Sequence, residues 1–324
     1  MRRVGAAPTA LVGVWILTVV VSLPLTLALR EMLAQHLDAS LAADSAAAGV
    51  NYEWMQEFSE QASGVGVTFR PTIVGFGAVL DNLSAFLDAT GRPVVIVGAA
   101  SAYIALWIFL AGGIIDRYAR ARATHAYGFF AASGMFFFRF LRLAIVQGVA
   151  YAFLFGWVHV RLFDRLFVRM TRDVSVERTA FLTRLALYVV FGVLVGACNL
   201  LFDYAKVRAV VEDRRSMVGA LAAAVRFLRQ NGAAAVTLYL LDFALFVVVV
   251  TVYAAIAPGV ATTGASMWIA FATGQAYIAA RLWVKLVFWA SEVALFQDRF
   301  AHAAYVAGPE PTWPESPAAE AITR

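Results

Sequence analysis

Six apolar runs recur along the 324-residue chain, at about 10–29, 94–115, 141–160, 185–202, 233–256 and 266–290. A bilayer's hydrocarbon core is about 30 Å thick and a helix rises about 1.5 Å per residue, so about 20 apolar residues cross it. The runs therefore restrict the fold to an all-α polytopic membrane bundle of six transmembrane helices. Charged residues make up 15% of the chain, against about 25% in soluble domains, which leaves little room for a separate soluble domain. The reading is a single membrane domain over 1–307 and a flexible tail, 308–324, rich in proline and glutamate. The first run follows Met1-Arg2-Arg3 and exceeds the apolar core of about 7–15 residues found in signal peptides, so it reads as a retained first span.

Placing the N-terminus inside puts 17 basic residues in the inner segments and 9 in the outer ones. The positive-inside rule then sets both termini in the cytoplasm of a bacterial inner membrane. The net charge of +5 reads as topology and not as nucleic-acid binding. The long outer segment, 30–92, carries eight acidic and three basic residues. In it Ile73, Phe76, Leu80, Leu83 and Leu87 share one helical face. Pro71 suits the first turn of that helix, and Asn51 caps a second short helix bearing Tyr52, Trp54 and Phe58. These helices are expected on the outer surface or over the bundle.

One phrase is written twice. DRYARAR at 116–122 is followed by RFLR at 139–142; DYAKVR at 203–208 is followed by RFLR at 226–229. Each copy starts where one span ends and finishes where the next begins. The basic residues Arg120, Arg139 and Arg142 of the first copy are matched by Lys206, Arg226 and Arg229 of the second, and Asp116 by Asp203. Between the motifs lie an aromatic segment (Phe129, Phe130, Phe136, Phe137, Phe138, Phe140) and an apolar face (Met217, Leu221, Ala224, Leu228). Both are expected as interfacial helices, apolar side in the acyl boundary and arginines toward headgroups. The unit is a parallel repeat of span, interfacial helix, span.

Charges inside a bilayer are costly and tend to be paired or to line a site. Asp242 falls near the middle of span 5, Arg281 and Lys285 one turn apart in span 6, and Asn199 and Asp203 one turn apart in span 4. Gln147 and Gln275 add polar atoms in spans 3 and 6. An Arg281–Asp242 or Lys285–Asp203 pair is geometrically possible. The group is either a site that handles a substrate, a proton or an anionic headgroup, or interhelical glue. On the outer side, Arg161, Arg165, Arg169 and Arg172 form a stripe that either binds anionic lipid or another anionic partner or pairs with the acidic 30–92 segment. The four histidines lack metal-ligand spacing, Cys198 stands alone in an apolar run, and phosphate loops and nucleophile elbows are missing. No cofactor or metal is expected.

At the IID-x-Y-A-R turn, the DYAKVR turn and the RFLR helix that follows, the chain resembles a loose group of uncharacterised bacterial six-span membrane proteins. It is similar to the membrane module that accompanies some glycerophosphodiester phosphodiesterases. The resemblance covers about 94–300 and implies a bundle with basic interfacial helices; the relatives' acidic and histidine metal site has no counterpart in these residues. Three functions stay open. The first is a non-enzymatic membrane-surface protein or complex subunit, in contact with membrane lipids and with a protein partner or a second copy of itself. The second is a transporter or lipid-handling protein with a polar site between spans 4, 5 and 6. The third is a membrane-embedded enzyme.

Overall fold

The computed structural model describes residues 2–38, 40–48, 51–70, 75–91, 93–121, 125–257, 259 and 264–300. In hydrocarbon there is no water to satisfy backbone N–H and C=O groups, so a spanning chain must bond them internally. The described residues do so as helices, with no strand among them. A short helix α1 (Arg2–Gly5) leads into α2 (Pro8–Asp38). The segment between α2 and the next long helix folds as α3 (Ala43–Ala48), α4 (Tyr52–Gln61), a 3₁₀ turn and α5 (Gly75–Leu87). Then come α6 (Val94–Arg120) and α7 (Ala126–Phe153), which runs on through two π-helical stretches, Leu154–His159 and Arg161–Phe167, into α8 (Val168–Thr171). Three long helices close the fold: α9 (Glu177–Val211), α10 (Met217–Ile256) and α11 (Ala265–Arg299).

Five of these are long and apolar enough to cross a membrane: α2, α6, the α7–α8 composite, α9 and α10. The expected sixth crossing, α11, is 35 residues long but less apolar, because Gln275, Arg281, Lys285 and Glu292 interrupt it. It nevertheless belongs to the same core, packing against α2, α6, α9 and α10.

The long helices alternate in direction, so the N-terminus of α2 and the C-terminus of α11 lie at one end. Arg3 ties them: its guanidinium donates to the Tyr118 carbonyl at 3.0 Å and to Gln297 Oε1 at 2.8 Å. This end holds the main core. Val4 and Val14 meet Leu110–Ala119 of α6, Phe136–Leu143 of α7, Leu200–Val211 of α9, Met217–Ala235 of α10 and Leu282–Phe296 of α11 there. Toward the opposite end the same helices expose their apolar side chains, among them Ile104, Val149, Val193, Leu241, Phe243 and Phe271. A smaller cluster of Phe163, Leu187, Phe191 and Val195 joins α9 to the π-helical stretches.

Close packing of α6 on α7 depends on Gly112 and Gly113. A Cβ on Gly112 would stand 2.8 Å from Phe136 Cβ, and one on Gly113 would stand 2.7 Å from the Phe129 carbonyl oxygen. Lipid tails are as apolar as the side chains they replace, so membrane helices associate through such tight contacts rather than through water exclusion.

The interfacial helices do not form separately. The aromatic segment is simply the start of α7: Phe136 and Phe140 stack in the core at 5.9 Å, while Phe130 and Phe138 stay exposed. The second segment is the start of α10, set off by a kink at Asn231 (φ −123°, ψ 20°). The Asn231 side chain donates to the Phe227 carbonyl at 3.4 Å, competing with the helix's own bonding, which bends it. The similar motifs nonetheless share burial at their Tyr-Ala and Phe positions. Tyr118-Ala119 and Tyr204-Ala205 are all buried, as are Phe140 and Phe227 of the two RFLR copies.

Asn51 caps α4 as expected, its side chain accepting from Trp54 N at 2.9 Å. Trp54 and Phe58 are buried, and Trp54 Nε1 donates to His36 Nδ1 of α2 at 3.0 Å. Pro71, Ile73 and the 308–324 tail lie outside the described residues. Leu80 and Leu83 of the α5 face remain half exposed.

Candidate functional site

Of the two pairs that the spacing allows, Arg281–Asp242 and Lys285–Asp203, neither forms. Asp203 instead takes Lys206, one turn along α9, at 2.8 Å, because that partner is local and sits on the same helix face. The Trp289 indole N–H also points at Asp203, at 3.4 Å. Asp242 is buried on α10 and accepts from the Ser291 hydroxyl of α11. Asn199 accepts from the Tyr151 hydroxyl, which in turn accepts from Gln147 at 3.2 Å. Gln275 accepts from the Trp15 indole at 3.1 Å, holding α2 to α11.

Lys285 takes an unexpected position. Its ammonium stands 3.4 Å from the centre of the Trp107 ring of α6 and 5.7 Å from that of Trp289. It lies within electrostatic reach of Asp203 and Lys206 of α9 and of Arg281. Despite these neighbours on three helices its side chain is accessible. It therefore lines a recess walled by α6, α9 and α11. Arg281, one turn toward the looser end, is also accessible, its guanidinium 5.6 Å from the Tyr277 ring. Among the described residues neither cation forms an ion pair.

One turn beyond Trp289, on the packed side, is Glu292. It is 2% exposed, and among the described residues neither carboxylate oxygen has a hydrogen-bond partner. Asp203, Lys206 and Asp242 lie within electrostatic reach of it. Position 292 follows 285 and 289 on one helical face, and that spacing was the available sequence signal; an apolar run ending before it hid the residue. The column from Arg281 through Lys285 and Trp289 to Glu292 thus leads from an accessible recess into the closed core. On the far side of α11, Ser291 lines an open groove of about 910 Å³ between α10 and α11, with Arg2, Arg3, Leu238, Leu241 and Asp298 around it. Among the described residues no group of three histidine, cysteine or carboxylate side chains is placed to hold a metal.

The other basic candidates lie elsewhere. Arg120 Nε bonds both Asp116 oxygens at 2.9 Å, and Arg139 pairs with Asp213 at 2.6 Å, joining α7 to the α9–α10 turn. Arg142 donates to the Phe138 carbonyl; Arg226 and Arg229 are exposed. Arg208, which sequence reasoning passed over, is buried and donates to the Ala223 carbonyl at 2.6 Å and to Glu212 at 2.6 Å. The arginine stripe falls on the helical continuation of α7. Arg161 stacks on Trp157 at 3.8 Å, and among the described residues Arg165, Arg169 and Arg172 form no ion pair with the acidic segment. That segment is instead engaged by α9: Arg184 Nη2 bonds Asp88 at 2.8 Å and the Tyr188 hydroxyl donates to the same oxygen. His159 Nε2 lies 2.8 Å from the Leu87 carbonyl oxygen.

No known protein family, curated protein or solved structure matches the chain.

Proposed function

We propose that this chain is a transport or solute-handling protein of the bacterial inner membrane, working through the polar column of α9, α10 and α11, with both termini in the cytoplasm. The observation that carries this reading is Glu292. A wholly buried carboxyl with no partner costs several kcal/mol or forces a change of ionisation, and it adds nothing to packing that leucine would not supply. Ionisable groups retained at such cost inside a membrane mark ion and substrate pathways by default. The accessible recess at Lys285 on one side and the groove at Ser291 on the other supply approaches to the buried carboxylates. The two halves, α6–α7 and α9–α10, are read as a duplicated unit that frames the column, in line with the parallel repeats of transporters.

Reconstitution tests this. Proteoliposomes with an entrapped pH dye, placed under an imposed membrane potential, are expected to move charge or protons above protein-free vesicles. Glu292→Gln and Asp242→Asn should abolish the movement while keeping the thermal unfolding midpoint. Wild-type vesicles no different from empty ones, or variants no different from wild type, would refute it.

A second reading, as a subunit of a larger complex, draws on the half-exposed Leu80 and Leu83 of α5, an apolar face outside the bundle. Purification in native lipid with a stoichiometric protein partner and no charge movement would favour it.

A further inference from the structure

We infer that the recess at Arg281 and Lys285 is a binding site for a phosphate-type oxyanion. This rests on the transport reading for its place in a pathway, though not for its chemistry. Two accessible cations stand one turn apart on α11, and among the described residues neither is ion-paired. Their surroundings are aromatic: the Lys285 ammonium faces the Trp107 ring at 3.4 Å and the Arg281 guanidinium the Tyr277 ring at 5.6 Å. Ring faces hold a cation in place without neutralising it, which leaves its charge for a ligand. The carboxylate facing the recess, Asp203, is taken by Lys206 and the Trp289 N–H. Charge-assisted bonds from lysine and arginine to phosphate oxygens are among the stronger polar contacts. The loose, apolar end of the bundle offers a lipid a way in beside the recess, so the same chemistry fits a free phosphate or the headgroup of an anionic lipid.

The test uses the full chain in nanodiscs and reads intrinsic tryptophan fluorescence, since Trp107 and Trp289 flank Lys285. Inorganic phosphate is titrated in phosphatidylcholine discs; separately, phosphatidylglycerol replaces part of the phosphatidylcholine. Saturable quenching by phosphate identifies a free-anion site, and a response to phosphatidylglycerol alone identifies a headgroup site. In either case Lys285→Gln and Arg281→Gln should weaken binding by about tenfold or more, and Arg165→Gln, an exposed cation away from the recess, should not. No response to either probe, or a response unchanged in both recess variants, would overturn the site. Binding without charge movement in proteoliposomes leaves the site standing and removes the transport reading, whereas charge movement without binding does the reverse.

Discussion

The Lys285 ammonium of α11 lies 3.4 Å from the centre of the Trp107 ring of α6, and this contact joins the accessible recess to the packed core. Trp107 also meets Trp289 edge-on at 5.6 Å, so three side chains from two helices form one unit. A desolvated cation–π contact is worth about 2 kcal/mol. Replacing Trp107 by alanine removes this and a large buried ring, and is expected to cost about 3–5 kcal/mol, whereas Trp107→Phe keeps a ring face and should cost far less. Thermal unfolding in detergent, followed by tryptophan fluorescence, measures both.

Glu292→Gln should leave the fold as stable as wild type or more so, since a buried carboxyl without a partner is exchanged for a neutral group of the same shape. Glu292→Lys should unfold the protein. A midpoint that falls by several degrees in Glu292→Gln would mean that the carboxyl has a structural partner after all.

Tyr118 and Tyr204, the tyrosines of the two similar turns, are fully buried, and among the described residues their hydroxyls have no hydrogen-bond partner. Tyr118→Phe and Tyr204→Phe are therefore expected to be neutral or stabilising, because an unmade buried hydrogen bond carries a penalty. Tyr204→Ala should instead cost about 3–5 kcal/mol, since the ring packs 4.8 Å from Phe227. Unfolding midpoints of the three variants decide the matter.

Gly113→Val should part α6 from α7, because its Cβ has no room against the Phe129 carbonyl. The expected result is loss of folded protein on size-exclusion chromatography, with Gly134→Ala, in open space on α7, as the tolerated control.

Asp88, outside the spans, gives a pH dependence. The Tyr188 hydroxyl, with further help from Arg184 and Ser84, holds its carboxyl below the ordinary value of 3.8. A lowered folded pKa stabilises at pH above 3.8 and loses that contribution as pH falls through the folded value. The α5–α9 contact should thus persist at neutral pH and loosen only below 3.8, seen as faster hydrogen exchange in α5. Because the pair is largely exposed, Asp88→Asn should cost only about 0.5 kcal/mol.

The parts of the fold legible in the sequence are those set by local, one-dimensional properties. Run length and hydropathy mark the spans that α2, α6, α7, α9 and α10 realise, and the Asn51 cap follows from a side chain and a backbone amide three residues apart. The RFLR and Tyr-Ala repeats announce positions that prove equivalent in burial. Where the interfacial segments end was not legible: helix propagates through an apolar segment unless something interrupts it, so the start of α7 merges with its span and Asn231 alone breaks α10.

Partner choice among the intramembrane charges belonged to the tertiary structure. Spacing put Asp203 and Lys285 at comparable depths, but Asp203 pairs with Lys206 on its own helix, and Lys285 stands against Trp107 of α6. Glu292 became notable only when α9 and α10 closed over it, since a glutamate at the end of a helix is ordinary until neighbouring helices remove its water. Hydropathy is a sum along the chain, and it determined that these helices cross a membrane. Which polar atoms meet depends on the rotation and depth of each helix against the others, and only packing fixes those.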